Sequence, residues 1–334
     1  MSMTVSVRSR RRWILGILAL PALAAVSAYG MGSGAVAVAL PDIWQVLLGR
    51  GDEIDTSIVM NLRLPRVLLG LLVGACLAAS GALLQGVMRN PLADPGIIGV
   101  SAGGGLAAVI ALVLLPQFVY LLPAFAFAGA LLAALIIYTL AWDRGSSPVK
   151  IVLAGIAVNA LLGAVMNGIM VLHSDRVQSV IPWLSGALSG RSWQHLLFLL
   201  PYAVVGLMLT PLAARSANLL QLGDQTAQAL GQRVERHRFL ILGLASLLAG
   251  AAVSVAGLVG FVGLLVPHAM RLLIGEDYRY LLPFSIAGGA MLMVLGDTVA
   301  RSWFDPIELP AGILMACIGA PVFLLLLKKR KLIR

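Results

Sequence analysis

Ten stretches of the chain, at 13–33, 64–88, 97–115, 119–142, 149–172, 194–213, 238–257, 259–274, 281–299 and 309–327, are almost wholly apolar and bounded by charges or turn formers. A helix rises about 1.5 Å per residue and the hydrocarbon of a bilayer is about 30 Å thick, so roughly 20 such residues make one crossing. Lipid offers no hydrogen-bond partner to the backbone, and a crossing of this length must therefore close its own bonds as a helix. The expected fold is all-α and polytopic, with about ten transmembrane helices in a single membrane domain over residues 1–334. The eighth window is short and only Gly257 and Gly260 divide it from the seventh, so nine or eleven crossings stay open as alternatives. Two polar, proline-punctuated stretches bracket the second window: Asn61-Leu62-Arg63-Leu64-Pro65-Arg66 before it and Arg89-Asn90-Pro91-Leu92-Ala93-Asp94-Pro95-Gly96 after it. Both are expected to be elbows outside the lipid or against a partner.

Composition agrees: 60% of residues are hydrophobic and 11% charged, well above the apolar share of about 45–50% found in soluble domains. With the N-terminus cytoplasmic, ten crossings return the C-terminus to the same side. Arg8, Arg10, Arg11, Arg12, Arg89, Arg144, Lys150, Arg215, Arg233, Arg236, Arg238, Arg271, Arg279 and the five basic residues from Lys328 to Arg334 then lie inside, 18 of 24. Arg50, Arg63, Arg66, Arg176, Arg191 and Arg301 lie outside. This is the asymmetry of the positive-inside rule, and it accounts for a net charge of +10 without nucleic acid. The alternative for the N-terminus is a signal peptide, but its apolar core, Trp13 to Ala28, is at the upper end of the usual length of about 7–15. Cleavage would also reverse the parity that the charges support. Cys76 and Cys317 both fall in apolar windows, which argues against a disulfide framework or a metal site.

The second and seventh windows align at an offset of 176, pairing Gly74 with Gly250, Ala75 with Ala251, Gly81 with Gly257 and Pro91 with Pro267. Leu68, Leu71 and Leu72 meet Leu244, Leu247 and Leu248 at the same offset. The two crossings run in opposite directions, so the match reads as an inverted internal repeat, as transporters use to build two faces around one pathway. Small-residue packing common to membrane helices is the alternative source of the match.

None of the four lysines, Lys150, Lys328, Lys329 and Lys331, follows a glycine as a phosphate-cradling loop requires. An ion-coupled carrier would place ionisable groups at mid-bilayer, and the candidates are Asp297 and His268. Asp297 and Arg301 are four residues apart on one helix and are expected to pair with each other, and His268 is expected to pack. Energy is therefore expected from another subunit; a secondary transporter and an intramembrane enzyme are the competing classes, and neither has a buried charged pair or a nucleophile–base spacing to support it. The cytoplasmic segment 215–238, between the sixth and seventh crossings, suits a partner. Leu219 to Gly231 reads as a short helix with Asp224 near its N-cap and Gly231 as its stop, and Leu222, Ala229 and Leu230 give it an apolar face to bury.

Several co-linear motifs carry a resemblance over nearly the whole chain. They are the stretches at 61–66 and 89–95, Leu-Gly-Asp at 222–224 with Leu-Gly at 230–231, Gly-Phe-Val-Gly-Leu-Leu-Val-Pro-His at 260–268 and Leu-Leu-Pro at 281–283. Gly-Asp-Thr-Val-Ala-Arg at 296–301, Glu-Leu-Pro-Ala-Gly-Ile at 308–313 and Ile-Gly-Ala-Pro-Val-Phe at 318–323 complete the set. Together they resemble the permease subunits of bacterial ATP-driven (ABC) importers for iron-siderophore complexes, haem and vitamin B12. The resemblance implies ten helices per subunit in the bacterial inner membrane, with both termini cytoplasmic and pairing with a second copy or close paralogue. It implies two cytoplasmic ATPase subunits, which hold the ATP and Mg, a periplasmic binding protein that delivers cargo, and no cofactor or metal site in this chain.

The family's coupling helix then falls on Leu222, Gly223, Asp224, Gln225, Ala227, Leu230 and Gly231. Its arginines for docking the binding protein fall on Arg63, Arg66 and Arg301, a role that suits the planar fork of arginine for carboxylate. The pathway at the dimer axis, partly lined by the fifth and tenth helices, implies Asn159, Met166, Asn167 and Met170, and the cytoplasmic gate implies Asp143, Arg144, Gly145, Ser146, Ser147 and Pro148. The outer loop from Trp183 to Trp193 is closer to ferric-siderophore members than to B12 members, and His173 near the outer end of the fifth crossing makes haem the alternative cargo.

Overall fold

The computed structural model describes residues 2–34, 36–142, 147–304 and 307–332. Its helices are α1 (Ser2–Gly32), α2 (Leu40–Leu47), α3 (Glu53–Thr56), α4 (Leu64–Val87), α5 (Val100–Val109), α6 (Leu122–Ala141) and α7 (Pro148–Leu172). They continue with α8 (Val177–Leu184), α9 (Trp193–Gln221), α10 (Asp224–Ala229), α11 (Val234–Ala256), α12 (Val262–Ile274), α13 (Tyr278–Ser302) and α14 (Ala311–Leu332). Seven helical segments among the described residues are long and apolar enough to cross a membrane, and three shorter apolar ones, Val100–Leu114, Val262–Ile274 and Ala311–Leu325, complete the expected ten. The eighth window is thus a separate helix of 13 residues, about 20 Å long by its rise. Short helices α2, α3 and α8 were not expected. Ile43 and Val46 of α2 form a small apolar cluster with Val38 and Val59, apart from the main core.

At the centre stands α4, packed against α13, α11, α9 and α12. Its glycines explain the position. A Cβ at Gly74 would lie 2.1 Å from the carbonyl oxygen of Gly289 in α13, and a Cβ at Gly289 would lie 2.3 Å from that of Gly74. At Gly81 a Cβ would come within 1.8 Å of the Gly263 carbonyl oxygen in α12. Both crossings are backbone against backbone, the close approach that lets helices associate where lipid is as apolar as the side chains.

The inverted repeat is visible in who neighbours whom. As α4 packs on α13, α11 packs on α6; α5 meets α6 and α7 as α12 meets α13 and α14; and α4 meets α12 as α11 meets α5. Gly250 of α11 faces Ala130 and Phe127 of α6, as Gly74 of α4 faces α13. The register then parts: Gly81 is mid-helix, whereas Gly257 ends α11 with φ +73°. Pro91 lies in a turn, whereas Pro267 is inside α12.

The stretch at 61–66 is no elbow. Ser57–Arg63 winds as a wider π turn straight into α4, and Pro65 sits at the start of that helix, where its missing N–H is harmless. The second stretch is an elbow. Asn90 Oδ1 accepts from Leu92 N–H at 2.9 Å and Asp94 Oδ1 from Gly96 N–H at 2.9 Å, Arg89 has φ +50°, and Gly99 turns the chain into α5 at φ +81°. α1 is built into the bundle at both ends: Arg12 donates to the Ile274 carbonyl at 2.9 Å and stands 4.0 Å over the Tyr280 ring, while Gly30 lies against Val67 and Val294.

Gly81→Ala forces the Gly263 backbone to move and is expected to lower stability by about 1–3 kcal/mol, whereas Gly163→Ala in α7, with open space at its Cβ, is neutral. Thermal unfolding in detergent checks the pair, and equal melting of the two variants would remove the packing argument.

Candidate functional site at the two ends of the bundle

At the end of the bundle that carries α10, here the near end, the chain leaves α9 through Gly223 at φ +100° and turns into α10. Gly223, not Asp224, is the N-cap residue and has no side chain to cap with. The Asp224 carboxylate points away instead and accepts from Arg238 Nη2 at 2.7 Å, with Arg89 Nη2 at 4.0 Å. Arg238 is 1% exposed and also donates to Glu235 at 2.9 Å. Asp224 thereby ties α10 to the first turn of α11 and faces the elbow after α4, the two helices related by the repeat. Gly231, at φ +80°, stops α10 as expected: its N–H bonds the Gln228 carbonyl at 2.9 Å and the Gln232 N–H bonds the Ala227 carbonyl at 2.9 Å. Of the residues expected to couple, Ala227 is buried inside the chain, while Leu222 and Leu230 are 57% and 58% exposed, with Gln225 and Ala229 also on the surface. Among the described residues, none covers Leu222 and Leu230.

At the far end, Arg66 of α4 makes a two-pronged contact with Asp297 of α13, Nε to Oδ2 at 2.8 Å and Nη2 to Oδ1 at 3.0 Å, and a third bond to Glu308 Oε2 at 3.0 Å. Asp297 therefore pairs across the bundle rather than with Arg301 on its own helix. Arg301 turns to the Gly30 carbonyl of α1, and Arg63 donates to the carbonyls of Met31, Gly32 and Val36. The three arginines expected to dock a binding protein, Arg63, Arg66 and Arg301, are 5%, 9% and 6% exposed, but all three line one cavity of about 380 Å³ with Arg191 and Glu308. Glu308 also accepts from Ser189 Oγ at 2.6 Å. Burial raises its pKa, but Ser189 and Arg66 outweigh burial and hold the carboxyl below its ordinary 4.5.

The pathway candidates divide. Met166 and Met170 pack on Val109, Val113 and Val180. Asn159 Nδ2 donates to the Gly96 carbonyl at 2.9 Å while its Oδ1 is buried without a partner. Asn167 is exposed on α7, between Gly163 and Gly168, which also face open space. Of the gate, Asp143, Arg144, Gly145 and Ser146 lie outside the described residues; Ser147 caps α7 by accepting from Lys150 N–H at 3.2 Å, and Pro148 is its first residue. Sequence reasoning missed Arg238, Arg89, Glu308 and Ser189 as partners. Glu308 and Arg89 each open a motif and Ser189 lies in the outer loop from Trp183 to Trp193, so these three had a signal; Arg238 had only that of a flanking charge.

The chain and its helical bundle are matched elsewhere. Residues 22–329 match the model of the FecCD transport family. The chain belongs to that family. It is 41% identical over 98% of its length to the Fe(3+)-citrate import system permease protein YfmE of Bacillus subtilis, covering 98% of that protein. Identity is 46% with the cobalamin import system permease protein BtuC of Halobacterium salinarum, over 84% of this chain and 75% of that one. A solved metal-chelate type ABC transporter in an inward-facing conformation superposes with TM-score 0.83 at 30% identity, over 94% of this chain and 98% of its own. This permease is thus an integral membrane protein of a transport family whose relatives are import permeases and whose fold is that of an ABC transporter.

The lowered pKa of Glu308 fixes the sign of a pH effect. Its ion pair and hydrogen bond stabilise the permease above the ordinary value of 4.5, and that contribution disappears as pH falls through the lower folded value. Glu308→Gln is expected to melt below wild type at neutral pH and to converge with it under acid; parallel curves at all pH values would contradict the pairing.

Proposed function

We propose that this permease carries an iron chelate, a ferric siderophore, from a soluble binding protein outside a bacterial inner membrane to the cytoplasm. A second permease copy completes the pathway, and two ATPase subunits seated on α10 drive it. Exposed Leu222 and Leu230, which flank a helix of six residues, are the observation that carries the reading, since so short a helix gains stability only by docking. Arg238 and Asp224 would pass its displacement to α11, and Arg89 to the elbow after α4. Iron is favoured by the full-length match to an iron-citrate permease, where the cobalamin permease matches over a shorter part. Haem and B12 are the other cargoes of the family.

The same reading places both termini in the cytoplasm, from the distribution of basic residues, and makes residues 1–334 one permease domain with 215–238 as its coupling segment. Arg63, Arg66 and Arg301 receive carboxylates of the binding protein from within their cavity, Arg66 by exchanging Glu308 for the incoming group. Asn167 faces the second copy across the pathway, because an exposed amide is costly toward lipid; Asn159, Met166 and Met170 support that face from behind. Asp143 to Pro148 form the cytoplasmic gate.

Co-reconstitution into vesicles with the ATPase and the binding protein tests this. ATP-dependent accumulation of radio-iron chelate is expected, and none with the permease alone. Arg238→Met is expected to cut uptake about tenfold, mid-range for a coupling free energy, while ATP hydrolysis continues. Accumulation without nucleotide would reject the motor; undiminished uptake by Arg238→Met would reject the route through Asp224.

A further inference from the structure

At the far end, α6 and α9 both begin, and beside their first turns opens a cavity of about 440 Å³ that shares Arg191 with the cavity of the three arginines and is otherwise lined by different residues. Its lining is of two kinds: apolar Tyr120, Leu121, Pro123 and Phe198, and polar Arg191, Gln194 and His195. Tyr120 is exposed at the rim with the Phe118 ring 6.5 Å away, and Trp193 at the start of α9 bonds its indole N–H to the Met60 carbonyl at 2.8 Å. Such aromatics suit the level of lipid headgroups.

Arg191 is the unusual member. The other arginines of the neighbouring cleft, Arg63, Arg66 and Arg301, each donate to oxygens of this chain. Arg191 reaches only the His195 ring, 3.4 Å from its Nη1, and its Nε is buried with no hydrogen-bond partner. Among the described residues no carboxylate stands within ion-pair distance of it. Burial pushes its pKa down, the mark of a cation held without a counterion. A half-buried guanidinium with free donors above an apolar wall, at the end of two membrane-crossing helices, calls for an anion that brings hydrocarbon with it.

We propose that this cavity binds an anionic glycerophospholipid, its phosphodiester on the Arg191 fork and its acyl chain along Leu121, Pro123 and Phe198. Arginine holds two phosphate oxygens at once, and basic pockets between membrane helices take lipid headgroups in this way. The apolar wall decides against an acidic side chain of a soluble partner, which would have no use for it.

Native mass spectrometry of the purified permease, released from vesicles of equal phosphatidylglycerol and phosphatidylcholine, reads the site. Wild type is expected to retain phosphatidylglycerol selectively. Arg191→Ala is expected to lose that selectivity by about fivefold, the worth of one cation at an anionic headgroup, and Arg191→Lys to keep part of it. Arg50→Ala, an exposed arginine elsewhere, is expected to change nothing. Equal retention by wild type and Arg191→Ala overturns the proposal. So does protection by inorganic phosphate alone, or an Arg191→Ala variant that keeps its lipid but loses a soluble binding protein. Should Arg191→Ala not fold, wild type with phosphatidylglycerol carrying a photoreactive headgroup decides: crosslinks are expected within 191–195, and crosslinks confined elsewhere overturn the site.

Discussion

Helices in a bilayer gain nothing from hiding apolar surface from one another, because lipid is an equally good solvent for leucine. What holds this bundle is therefore the close approach of backbones, and α4 makes two such crossings, at Gly74 and Gly81. The rest follows from their geometry. Fixed against α13, α4 brings Arg66 to Asp297; fixed against α12, it delivers the elbow at 88–99 to the near end, where Arg89 faces Asp224. An ion pair buried as deeply as Arg66 and Asp297 contributes little net stability, but losing one partner is costly, about 3–5 kcal/mol. It specifies which helices meet more than it holds them together.

The two ends differ in what they leave unsatisfied. At the far end, Arg63, Arg66 and Arg301 are bound to oxygens of this chain, so an incoming carboxylate has to displace something, and Glu308, partly exposed and held by Ser189, is the displaceable one. At the near end the Asp224 carboxylate of α10 is paired, while Leu222 and Leu230 at either side of the helix are exposed. A rigid clamp beneath an uncovered surface is what a lever needs: Asp224 and Arg238 resist bending while Leu222 and Leu230 await a partner.

Much of this was legible in the sequence. Each apolar window became helical, most within a few residues of their limits, with α1 starting back at Ser2 and α9 running on to Gln221, since window length against bilayer thickness leaves little choice. The repeat was legible through Gly74 and Gly250, whose sites are equivalent in space, and misleading at Pro91 and Pro267, which are not. Side-chain partners were not legible. Spacing paired Asp297 with Arg301, four residues on, because helical neighbours can be read from sequence; a partner 231 residues away in α4 depends on how two helices cross. For the same reason Arg238 passed as a flanking charge, and Pro65 suggested an elbow where a π turn carries the helix through.

The account depends on α10 being a seat for a motor outside this chain. Its most direct test is a single cysteine at position 222 or 230 in a background with Cys76 and Cys317 replaced, labelled with a water-soluble maleimide in the lone permease and in the ATPase-bound complex. Rapid labelling of the lone chain and protection in the complex are predicted. Equal labelling in both states would contradict the account, because Leu222 and Leu230 would then face water with the motor in place.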